Sequence, residues 1–141
     1  MSGRYFLDTN ILVYSFDSKS PKKRERASAL IAEALTGSRG IISFQVLQEF
    51  IHLALRKFAK PLTLADVQEY LADVLDPLCG VYPGLELYQR ALDITGRWKY
   101  PFFDSLIIVA ALQAGCSTLY SEDLQHGQTI DRLRIVNPFL E

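Results

Sequence analysis

Four carboxylates in this chain stand in or at the ends of apolar stretches: Asp8 after Tyr5, Phe6 and Leu7, Glu49 within the series from Val46 to Phe58, Asp104 just ahead of Leu106, and Asp123 just after Leu119 and Tyr120. Carboxylates are seldom set where burial threatens them unless something pairs with them. Gathered in one pocket, four acids repel one another unless cations neutralise them, and such an all-oxygen donor set suits hard divalent ions. Each acid taken singly also has a structural role open to it. Asp8 is a good N-cap, Glu49 has Arg56 or water within its range of partners, and Asp104 complements a helix dipole, which does not exclude metal ligation. The recurrence of the pattern is what points to chemistry, since Asp123 repeats the context of Asp8.

The surrounding elements must bring these acids together. Residues 5–7 read as a short buried strand ending on Asp8, followed by a helix start through Ile11, Leu12, Val13 and Tyr14. In a parallel α/β sheet, ligands bind beyond the carboxyl ends of the strands, so an Asp placed there faces a site. A second helix opens at Ser20 and Pro21, carries Ala27, Leu30, Ile31, Ala34 and Leu35 on one face, and ends at Gly37. Its basic first turns, residues 22–26, are either a solvated face or a contact for RNA. Residues 40–44 form a second strand. The third helix has Glu49 at the edge of its apolar stripe, near Leu53.

Further along, Thr63 and Asp66 form a capping-box variant that opens a fourth helix with Leu64, Val67, Leu71 and Val74 as its stripe, ended by Asp76 and Pro77. Residues 78–82 are a weak third strand interrupted by Gly80. A fifth helix places Tyr88, Ala91, Leu92, Thr95 and Trp98 on one face, and residues 102–112 are apolar nearly all round beyond Ser105, the mark of the most deeply buried helix. Gly115 ends that helix, residues 118–121 make the fourth strand, and a final strand over 134–139 is stopped by Pro138, with His126 and Gly127 in the loop before it. The alternation predicts an α/β fold: one domain over residues 1–141 with a mostly parallel central sheet of about four to five strands flanked by helices.

Composition bounds the function. Hydrophobic residues at 49% and charged residues at 22% describe an ordinary globular protein, and 141 residues bury a substantial core. A net charge of −1 means that any phosphate-binding role draws positive charge from bound ions or a local patch. Cys79 and Cys116 are far apart, in no zinc-like spacing, and read as small buried hydrophobes. The amino terminus meets Arg4 and Asp8 too early for a signal-peptide core, and no run of about twenty apolar residues occurs, so a cytoplasmic protein with no membrane partner is expected.

Four fragments carry a resemblance: LDTNIL at 7–12, FQVLQEF at 44–50, FFDSLIIVAAL at 102–112 and LYSEDLQHG at 119–127. Together they make the chain similar, over essentially its full length, to PIN-domain ribonucleases and especially to the VapC-type toxins of bacterial toxin–antitoxin pairs. The resemblance implies that Asp8, Glu49, Asp104 and Asp123 are catalytic and bind Mg2+ or Mn2+, with Asn10, Asp17 and Ser121 as supporting residues around them. It implies an RNA substrate cut to 3′-hydroxyl and 5′-phosphate ends, a cognate antitoxin partner and a homodimer. An apolar excess that includes Tyr70, Leu75 and Tyr82 favours the dimer as well. One-metal and two-metal mechanisms both stay open, as does ordinary RNA processing in place of a toxin role.

Other classes fit less well. A phosphate-receiving regulatory domain wants an acidic pair after its first strand and a Lys after its last, and a haloacid-dehalogenase-like phosphatase wants an Asp where Asn10 stands. A non-catalytic module that holds a basic partner in an acidic cleft is separated from a nuclease by metal-dependent RNA cleavage.

Overall fold

The computed structural model describes residues 3–140. In chain order, β1 (Arg4–Leu7) leads to α1 (Thr9–Tyr14), α2 (Pro21–Gly37), β2 (Gly40–Ser43), α3 (Phe44–Arg56) and α4 (Leu64–Tyr70). A π-helical turn (Leu71–Leu75) then passes into α5 (Asp76–Leu78), β3 (Cys79–Val81), α6 (Leu85–Trp98), α7 (Phe102–Gln113), β4 (Cys116–Tyr120), β5 (Thr129–Ile130) and β6 (Leu133–Val136).

The sheet has the order β3-β2-β1-β4-β6-β5, parallel throughout except for β5, which pairs antiparallel with β6. β1 therefore lies between β2 on one side and β4 on the other. The chain leaves β1 in one direction across the sheet and returns on its far side, which opens a crevice at the carboxyl ends of β1 and β4. Pairing continues one residue beyond β1, where the Asp8 N–H donates to the Tyr120 carbonyl at 3.0 Å.

β1 can sit centrally because Tyr5, Phe6 and Leu7 are all buried, as parallel strands covered on both faces require. α7 is buried from Ser105 to Leu112 and is the most deeply buried helix, as its sequence predicts. α2 comes so close to β2 that a Cβ on Gly40 would lie 2.2 Å from the Ala34 Cβ, so this approach requires glycine. The capping box at Thr63 and Asp66 forms as expected.

Several expected details differ. The sheet gains β5, a two-residue strand too short to show any periodicity, in the segment read as a loop. On α6 the core face is Leu87, Ala91 and Ile94, while Tyr88 and Leu92 face outward. This helix carries apolar residues on two faces, and packing against α7 selects the other one. Asp76 and Pro77 do not stop the fourth helix. The π turn re-registers the backbone there, and Pro77 falls in the first turn of α5, where its missing N–H costs nothing. Ser20 makes no side-chain cap bond, and Ser38 rather than Gly37 takes the left-handed conformation after α2 (φ 59°). Leu75 is fully buried and Tyr70 stacks on Phe50, so of the three residues expected to be in excess only Tyr82 is exposed. Cys116 is buried and Cys79 half-buried, both as free thiols.

Candidate functional site

Asp8, the residue after β1, has extended backbone and caps α1 by accepting the Thr9 N–H at 2.7 Å. Its other oxygen accepts the Ser121 hydroxyl at 2.8 Å. Ser121 itself follows β4, is fully buried, and also accepts the Asp123 N–H at 3.2 Å. One serine thus ties together the acids that end two neighbouring parallel strands. Asn10 adds a second tie. Its Nδ2 donates to Asp123 Oδ2 at 3.1 Å and its Oδ1 accepts the Glu122 N–H at 3.3 Å.

Glu49 reaches the same place from the second turn of α3, a helix that Ser43 starts by accepting the Val46 N–H. The Thr9 hydroxyl donates to Glu49 Oε1 at 2.6 Å, and Gln45 Nε2, one helical turn earlier, lies 3.5 Å from Oε2 while donating to the Phe103 carbonyl at 3.1 Å. Arg56 is seven residues on, two turns along the helix, and Glu49 does not pair with it. Asp104 projects from the first turn of α7. Among the described residues its carboxylate makes no hydrogen bond or ion pair.

The four acids, with Thr9, Asn10, Gln45, Phe103 and Glu122, line one open cleft of about 560 Å³. Asp17 does not join them. α1 ends at Tyr14, and the turn beyond it carries Asp17 into an adjoining pocket, where its carboxylate accepts the Lys19 N–H at 2.9 Å.

The electrostatics are those of an unneutralised acid cluster. Burial pushes the Asp8 carboxyl up to about 6, against the opposing pull of the Ser121 and Thr9 hydrogen bonds, with the charges of Glu49 and Asp123 adding to the rise. Asp104 is raised by burial and then by Asp123 and Glu49. Glu122 is the contrast. Its burial acts to raise it, but hydrogen bonds from Lys23 and Tyr14 hold it below the usual range. Lys23 Nζ lies 2.5 Å from Glu122 Oε2 and 4.7 Å from the centre of the Tyr14 ring, so this cation is committed to Glu122.

Sequence reasoning missed Thr9, Gln45 and the Lys23–Tyr14–Glu122 group. Gln45 was findable, because i and i+4 share a helix face. Lys23 and Glu122 come from distant parts of the chain, and no local pattern joins them.

Among the described residues no three His, Cys, Asp or Glu side chains are gathered tightly enough to enclose an ion unaided. The donor set nevertheless fits a hard divalent cation: it is all oxygen, Asp8, Asp104 and Asp123 form no ion pair among the described residues, and magnesium keeps several waters while taking only one or two carboxylates.

The PIN domain model matches residues 5–130. The chain belongs to the PIN-domain family. This PIN domain shares its fold with solved toxin–antitoxin proteins. A toxin–antitoxin complex from Klebsiella pneumoniae aligns with a TM-score of 0.67 at 18% identity, covering 95% of this chain and 97% of that one. VapC20 of Mycobacterium tuberculosis, described as a sarcin–ricin-loop-cleaving toxin, aligns at 0.57 and 19% identity over 84% and 89%. DNA-bound VapBC from Salmonella typhimurium aligns at 0.58 and 24% identity over 94% and 96%. Comparison with curated protein sequences finds no match. At these identities the structural likeness is one of fold.

Proposed function

We propose that this PIN domain is a divalent-metal-dependent endoribonuclease and the toxin of a toxin–antitoxin pair, working in the cytoplasm. The observation that carries the reading is the contrast inside the cleft: Glu122 has its own cation, whereas Asp8, Asp104 and Asp123 have none among the described residues. Asp8, Glu49, Asp104 and Asp123 are the residues that would hold Mg2+ or Mn2+. Such an ion, when bound, supplies positive charge to the phosphate and makes water a stronger nucleophile near neutral pH.

The chain's own groups prepare the rest. Ser121 fixes one oxygen of Asp8, Asn10 fixes Asp123, and Thr9 with Gln45 orients Glu49. Asp104, whose carboxylate makes no hydrogen bond among the described residues, has an oxygen available to accept a proton from the attacking water. The water oxygen bonds to phosphorus as the bond from phosphorus to the 3′ oxygen breaks, and that oxygen takes up a proton from solvent, leaving a 3′-hydroxyl and a 5′-phosphate.

The antitoxin in this reading places a basic side chain, an Arg by preference, among the carboxylates, because a guanidinium meets carboxylates through two parallel hydrogen bonds. The protein itself is proposed to pair as a homodimer. Leu85, Tyr88 and Leu92 repeat along the outer face of α6 at 73%, 36% and 61% exposure, next to the exposed Tyr82, an apolar stripe that a second copy would cover.

The deciding experiment is RNA cleavage by purified protein with Mg2+ or Mn2+, with excess chelator, and with Asp104→Asn. The proposal requires cleavage in the first case alone. Cleavage that survives chelation, with contaminating nuclease excluded, removes the metal mechanism. No cleavage of any RNA leaves a non-catalytic acidic-cleft module. Expression without a partner must also slow growth and co-expression of the antitoxin must restore it; unimpaired growth with active enzyme points instead to ordinary RNA processing.

A further inference from the structure

Next to the carboxylate cleft lies a second pocket of about 530 Å³ whose charge is opposite in character. It forms where the ends of α1 and α3 meet, and Val13 belongs to the walls of both pockets, so the two adjoin at that residue. Four cations line it, Lys19, Arg24, Lys57 and Lys60, against one acid, Asp17. All four are exposed, and none forms an ion pair among the described residues. Lys23 is committed to Glu122 at the edge of the carboxylate cleft.

Two aromatic rings, Phe16 and Phe58, complete the wall. Phe16 is held by tilted contacts to Phe50 at 5.7 Å and Phe58 at 5.6 Å and an edge contact to Tyr70 at 5.4 Å, yet remains 38% exposed. A ring already fixed in place offers a stacking surface without further loss of side-chain freedom. Lys57 follows Glu49 by eight residues, about 12 Å along the helix axis.

We propose that this basic-aromatic pocket binds the single-stranded RNA flanking the scissile phosphate, a few nucleotides from the carboxylates. Lys19, Arg24, Lys57 and Lys60 neutralise phosphates that the acidic cleft would repel, and Phe16 takes a base by stacking. The inference rests on the ribonuclease reading of the cleft. It resolves how a chain of net charge −1 holds a polyanion: the positive field is local and sits beside the chemistry rather than over the whole surface.

The test measures binding of a fluorescein-labelled oligouridylate by the full chain in the Asp104→Asn background, by fluorescence anisotropy across a salt series. Lys57→Ala with Lys60→Ala should weaken binding and make the salt dependence shallower by about 1.4 in log–log slope, at about 0.7 for each phosphate of a single strand that is no longer neutralised. Phe16→Leu, which retains apolar packing, should weaken binding about fivefold or more with the slope unchanged, as loss of stacking requires. Arg90→Ala, an exposed cation on α6 away from the pocket, should change neither quantity.

An unchanged slope in the double-lysine variant overturns the proposal, as does an equal fall in Arg90→Ala, which would mean a diffuse charge effect. Undiminished RNA binding together with lost binding of poly-glutamate assigns the pocket to an acidic protein segment and overturns it likewise. Native protein that cleaves RNA while the double-lysine variant keeps its slope removes this pocket alone. Native protein that neither binds nor cleaves RNA removes the ribonuclease reading and the pocket with it.

Discussion

Asp8 does two jobs with one carboxylate, capping α1 through Thr9 and facing the cleft beside Ser121. Burial makes it hold its proton up to about pH 6 in the metal-free protein. Between the unfolded value near 3.8 and this value the native state binds more protons than the unfolded state, so stability falls as pH rises through that window. The contribution is fully present only below the lower value, and its loss amounts to about 3 kcal/mol. Thermal melts in chelator from pH 4 to 7 should therefore show wild type losing stability relative to Asp8→Asn, with added Mg2+ closing the gap. Parallel pH profiles for the two proteins would mean that burial does not raise the Asp8 pKa. At the same scale, Ser121→Ala removes a hydrogen bond that favours ionised Asp8 and leaves the Asp123 N–H without its acceptor. The variant should lose about 1–3 kcal/mol of stability. Its activity should need a higher pH than wild type, a shift that a purely structural defect would not produce.

At the scale of elements, α2 lies so tightly on β2 that the approach constrains the residue at position 40. Gly40→Ala sets a methyl 2.2 Å from the Ala34 Cβ and 2.9 Å from its Cα, backbone that cannot swing away. Overpacking of this kind costs about 1–3 kcal/mol or more, read directly as a lowered denaturation midpoint. Gly40→Ala combined with Ala34→Gly removes the Cβ clash but keeps the 2.9 Å approach to the Cα, and should recover only part of the loss. α3 shows how an element aims a side chain. Ser43 sets its start, and the helical repeat then puts Gln45 and Glu49 on one face, toward Thr9 and the first turn of α7.

For the whole molecule, the outward-facing stripe of α6 and the acid cleft make separate predictions. Leu92→Glu places a charge within the exposed stripe of Leu85, Tyr88 and Leu92. Sedimentation at tens of micromolar, an order-of-magnitude choice matched to weak association, should show dimer for wild type and monomer for the variant, without loss of folded structure. A monomeric wild type would leave the stripe unexplained by self-association. On the reading proposed above, antitoxin and metal draw on the same carboxylates in the cleft. Raising Mg2+ should weaken antitoxin binding, and so should Asp104→Asn, both measurable by titration calorimetry.

Much of the architecture follows from local sequence alone. Strands of two or three buried apolar residues, the apolar run of α7 and the capping box of α4 are each set by nearest neighbours, and an acid after an apolar strand can be read without coordinates. Asp8 and Asp123 stood out for that reason. What the sequence left open depends on contacts between distant segments. Only the strand order puts β1 beside β4, and so Ser121 between Asp8 and Asp123. Packing on α7 chose which apolar face of α6 turns inward, and the reach of Lys23 across the fold distinguished Glu122 from its neighbour Asp123. Asp17 shows the same limit from the other side: three residues beyond the end of α1, the turn of the chain carries it out of the cleft and into the basic pocket. Local propensity acts over a few residues, whereas a site is made by whichever surfaces the packed sheet and helices bring face to face.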